Sequence, residues 1–127
     1  MLEAMSGREF ALFLRAFLPV ARKAPFNYLA IIGMILSPVA ALIALRDDTD
    51  SASFVLTAIG LVLTVAGPLL VSSRLAEPNY DVMLAWDPES VPASWEATRR
   101  RYFAYNWIRF LATLAAFGLF LAALLAL

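Results

Sequence analysis

Trp95, Arg99, Tyr102, Asn106, Arg109, Thr113 and Ala116 recur at alternating spacings of four and three, which puts them along one stripe of a single helix. That stripe holds most of the chain's candidate chemistry. No charged residue follows Arg109 through Leu127, so Arg109 and Asn106 sit where a transmembrane helix leaves the headgroup layer, and both need a partner there. A guanidinium is a planar, permanently charged fork suited to carboxylates and phosphates. Asp81, Glu77 or a lipid phosphate is therefore the expected acceptor for Arg109, and a neighbouring helix the expected partner of Asn106.

The elements that must position this stripe can be read from composition. Hydrophobic residues make up 62 % of the 127 and charged residues only 16 %, with a mean hydropathy of +0.77. A water-soluble domain of that make-up would expose too much apolar surface. The expected class is all-α, an integral membrane helical bundle of three transmembrane helices plus an amino-terminal amphipathic helix, forming a single membrane domain. Ten basic and ten acidic residues balance, which gives no support to nucleic-acid binding. The absence of cysteine and histidine excludes disulfides and thiolate nucleophiles and removes the usual zinc, copper and haem ligands. No metal and no cofactor is expected.

Residues 1–24 read as an interfacial helix. Ser6 and Glu9 have the spacing of a capping box, and Phe10, Phe13, Leu14, Phe17 and Leu18 give one strongly apolar face, with Pro19 expected to bend or end it. Residues 26–45 carry no charge and match the ~20 residues needed to cross ~30 Å of hydrocarbon. Pro25 can begin this span, and Pro38 should kink it. A second span over 52–73 has a stripe of small and polar residues, Ser53, Thr57, Gly60, Thr64, Gly67 and Val71, which reads as a helix-packing face. Gly67-Pro68 should kink this helix too. Residues 74–94 read as a polar connector containing a short amphipathic helix around Asn79, Tyr80, Met83 and Trp86. The final helix is expected over 92–127, with Pro92 in its first turn and residues 106–127 in the membrane.

Lys and Arg concentrate before the first span and between the second and third. The amino end and the 74–105 connector should therefore face the cytoplasm in a multi-pass protein of the cell membrane.

The run EPNYDVMLAWDPESVPASWEATRRRYFAYNWIRFLATLAAF resembles the carboxyl-terminal half of the anthrone oxygenase-like family of small membrane proteins. The similar features are Asn79 after a transmembrane helix, the Trp86-Asp87-Pro88 turn, Trp95, the basic stretch Arg99 to Arg101, and Asn106 followed by Arg109. They cover roughly residues 60–120. Members of that family look like four-helix proteins, so the resemblance implies a first helix that is absent here or encoded upstream of Met1. The asparagine of the family tends to follow a proline by two places, whereas Asn79 follows Pro78 directly.

Activity of that kind would be cofactor-independent oxygenation of an anthrone-like or other phenolic hydrophobe through a stabilised carbanion. Arg109 and Asn106 would hold the oxyanion, Tyr102 and Trp95 the ring, and Asp81 or Glu77 would serve as base; Arg99 and Asn79 complete the candidate ligand-binding set. The competing expectation, and the preferred one, is a non-catalytic binding or structural bundle. Its partners would be the lipid bilayer, a hydrophobic small molecule, and a second copy or missing-helix partner.

Overall fold

The computed structural model describes residues 2–127, which form four helices: α1 (Gly7–Lys23), α2 (Pro25–Ala44), α3 (Ala52–Leu84) and α4 (Trp95–Leu125). Among the described residues there is no strand. Helices α2, α3 and α4 are each long and apolar enough to cross a membrane, so the molecule is an all-α bundle of membrane type.

Local signals account for most helix starts. Ser6 Oγ accepts from the Glu9 N–H at 3.3 Å while Glu9 Oε2 accepts from the Ser6 N–H at 3.4 Å, a reciprocal box that satisfies two otherwise orphaned donors of α1. Pro25 opens α2, where its missing N–H costs nothing. Ser51 caps α3 by accepting from Phe54 N–H at 3.2 Å. Pro19, expected to bend or end α1, lies inside it on its exposed side, and Pro38, expected to kink the first span, lies buried inside α2.

The second span does not stop at Ser73. Helix α3 runs 33 residues to Leu84, about 50 Å at 1.5 Å per residue against ~30 Å of hydrocarbon. Its middle, Val65–Ala76, is π-helical. Pro68 supplies a cause, because it lacks an N–H and its ring crowds the carbonyl four residues back; a wider turn relieves both defects without ending the helix. The widening also rotates the remainder of α3. A regular period would carry the small-residue stripe from Gly67 to Val71 and Arg74, but the residues turned inward are Ser72, Ala76 and Tyr80, and Arg74 is exposed. The expected connector helix around Asn79 to Met83 is thus the last turn and a half of α3 rather than a separate piece at the interface. Pro92 likewise precedes α4, its carbonyl accepting from Trp95 N–H at 3.0 Å.

Two regions result. In the apolar region α3 packs on α4 through Ser53, Thr57, Gly60, Thr64 and Gly67, all buried. Ser53 donates to the Ala123 carbonyl at 2.7 Å, while Thr57 and Thr64 donate to backbone carbonyls one turn back in α3. The glycines set the approach: a methyl on Gly67 would overlap Ala112, and one on Gly60 would overlap the Phe120 ring. Helix α2 is nearly bare, with Phe26 82 % and Leu29 66 % exposed, a surface suited to lipid and not to water.

Beyond this region the ends of α3 and α4 project side by side, and α1 packs across them as a cap. Phe10, Leu14 and Leu18 interdigitate with Met83, Trp86 and Tyr102 to form the molecule's main hydrophobic core. The apolar face expected to lie on lipid is therefore divided: Phe10 and Leu14 are fully buried against protein, whereas Phe17 remains 45 % exposed. Arg99 fastens the start of the chain by donating to the carbonyls of Glu3 (3.0 Å) and Met5 (3.2 Å), while its guanidinium lies 4.7 Å from the Trp95 ring centre.

Candidate functional site around Arg109

Where the cap meets the apolar bundle, α4 presents Arg109 to the rotated part of α3. Nη1 donates to Ser72 Oγ at 3.0 Å and Nη2 to the Tyr80 hydroxyl at 2.9 Å; Nη2 also makes a short contact with Asn106 Oδ1, one turn away on α4. All three acceptors are neutral. A guanidinium has five N–H donors, so these bonds leave two, one of them on Nε, which is buried without a protein acceptor.

The carboxylates expected to pair with Arg109 go elsewhere. Glu77 and Asp81, four apart on one face of α3, both bind Arg22 from the end of α1, with Asp81 at 3.1 Å. Partial burial works against the charge on Arg22, but Asp81 and Glu77 outweigh it and hold the guanidinium above its ordinary pKa. None of the three ion pairs among the described residues includes Arg109. Among the described residues its hydrogen-bond acceptors are all neutral.

Arg109 lines a crevice of about 660 Å³ that also contains Ser72, Glu77, Tyr80, Tyr102 and Asn106, and whose other wall is formed by α1 and the start of α2. Asn27 and Tyr28 shape that wall by donating to the carbonyls of Ala21 (2.6 Å) and Arg22 (3.2 Å), clamping the α1–α2 corner. The volume is in the range of small-molecule sites. Chemically, one end offers a cation backed by neutral acceptors and the next a pair of tyrosine rings with centres 5.9 Å apart; Arg22, Glu77 and Asn27 also line the crevice, and its remaining walls are mostly apolar.

The predicted stripe is therefore only partly one site. Tyr102, Asn106 and Arg109 meet in the crevice. Trp95 and Arg99 lie in the cap, engaged with each other and with residues 3–7. Asn79 is buried against α4, donating to the Thr98 carbonyl at 3.4 Å, and Asp81 stays on the exposed side with Arg22. Sequence reasoning passed over Ser72 and Tyr80 as members of the site. The only local clue to them was Pro68, whose effect on helix phase acts through the whole downstream part of α3.

These features define a class, a helical membrane bundle with a capped, arginine-bearing crevice at one end of its apolar region. Nothing closer identifies the chain: no family model, no curated protein and no solved structure matches it.

Proposed function

We propose that this protein is a non-catalytic binding bundle of the cell membrane, in which the Arg109 crevice receives the negatively charged end of a molecule that partitions into the bilayer. The amino end and the cap face the cytoplasm in this reading, as the distribution of Lys and Arg supports. One observation carries it. Arg109 is partly buried and bonded to neutral acceptors only, while both nearby carboxylates are taken by Arg22. A buried cation without a counter-charge is costly, and an arriving carboxylate or phosphate would remove that cost.

The oxygenase reading implied by the family resemblance needs a base free to take a proton. Glu77 lines the crevice but is ion-paired, and Asp81 is not among the lining residues, so geometry favours binding over catalysis. Native mass spectrometry of the protein released from neutral detergent tests the choice. Wild type is expected to carry an acidic small molecule that Arg109→Ala lacks. Bare wild-type protein, together with oxygen uptake on adding anthrone that Arg109→Lys abolishes, would favour the oxygenase.

A further inference from the structure

The crevice does not end at the polar groups. Ala30, Phe110 and Thr113 line both it and a second hollow of about 620 Å³ between α2 and α4, which continues past Gly33 and Met34 on one side and Phe117 on the other. Ser37, Pro38 and Phe120 in turn connect this hollow with a third, of about 360 Å³, at the far end of the same seam. The lining residues of α2 and α4 advance together, so the three hollows succeed one another along the apolar region. From Arg109 to Phe120 the track spans eleven residues of helix rise, about 16 Å. Its middle has few polar groups, and at Gly33 a methyl would meet no atom within 4 Å. Helix α2 packs mainly on α3, which leaves the α2–α4 seam open.

Resting on the binding reading above, we infer that the ligand is a single-chain anionic amphiphile, its carboxylate or monophosphate head on Arg109 and its chain along the α2–α4 seam. The charge requirement comes from the uncompensated guanidinium, and the chain requirement from the apolar hollows that follow one another along one seam from that guanidinium. Selectivity resides in the head. Leaving lipid for an apolar seam yields no hydrophobic gain, since the bilayer is as apolar as the groove; the seam contributes orientation and contact only.

The test uses the full chain in nanodiscs of neutral phosphatidylcholine, with palmitate carrying a photoreactive diazirine near its tail as probe and peptide mapping as readout. Adducts are expected on residues 33–38 and 113–120, competed by unlabelled palmitate and hexadecyl phosphate but not by hexadecanol. Arg109→Ala and Arg109→Lys should reduce them about tenfold and severalfold respectively, in proportion to the charged hydrogen bonds lost. Gly33→Phe, which fills the seam away from the head site, should move the adducts outward while leaving head-dependent competition intact.

Labelling that hexadecanol competes equally, or that spreads over the lipid-facing residues regardless of Arg109, overturns both this inference and the binding reading. Labelling that needs Arg109 but ignores Gly33→Phe and falls outside the seam overturns the chain path and leaves the head site standing. Preferential competition by two-chain phosphatidic acid overturns the single-chain assignment. Because Arg109→Ala can unfold the protein, Ser72→Ala serves as a milder variant and should reduce labelling a fewfold.

Discussion

Arg109 is the last charged residue of α4, at the edge of an uncharged run of helix, and a guanidinium there needs acceptors. Carboxylates are the natural guess, yet Ser72, Tyr80 and Asn106 surround it. A hydrogen bond from a charged donor is worth about 1.5–3 kcal/mol, so Tyr80→Phe should destabilise the protein by an amount in that range. Reversible unfolding in mixed detergent micelles measures this. Tyr80→Phe combined with Ser72→Ala should show non-additivity, because both acceptors serve one guanidinium.

Among the elements, α3 is the one whose form most affects its neighbours. Its small residues let α4 approach closely, and Gly67→Leu must push the helices apart where Ala112 already fills the space. Overpacking of this kind costs about 1–3 kcal/mol, and a lowered melting temperature in detergent is the expected sign. Gly33→Leu is the matching control, because open space surrounds that glycine in α2; its melting temperature should stay close to wild type. The packing stripe was legible in the sequence as a simple period. The π-helical stretch was not, since a proline inside a helix has several outcomes, among them a kink, a stop or a widened turn, and only the surrounding helices select one.

At the scale of the whole molecule, stability has two separate sources. The apolar bundle is stabilised by close packing and by the bilayer, whereas the cap has an aqueous-type core of Phe10, Leu14, Met83 and Trp86. Leu14→Ala should cost about 2–5 kcal/mol of cap stability. Hydrogen exchange should then accelerate across residues 7–23, while the middle of α4 keeps its protection; uniform acceleration throughout would mean that cap and bundle unfold as one unit. The ion pairs of Arg22 with Glu77 and Asp81 join α1 to α3 at the border between the two regions, and their exposure limits what they add.

Taken by itself, the sequence determined the membrane class, the three apolar helices and the capping box at Ser6, because each depends on composition or on spacings within a few turns of helix. Only the tertiary structure decided which side chains meet. Glu77 and Asp81 belong to Arg22, Ser72 and Tyr80 to Arg109, and Trp95 and Arg99 to the cap, because the widened turn after Pro68 changes the phase of α3 and the folded-back α1 brings in a competing cation. The first is one of several outcomes open to a proline inside a helix, among which the packed helices select, and the second is a relation between distant segments that no local pattern carries.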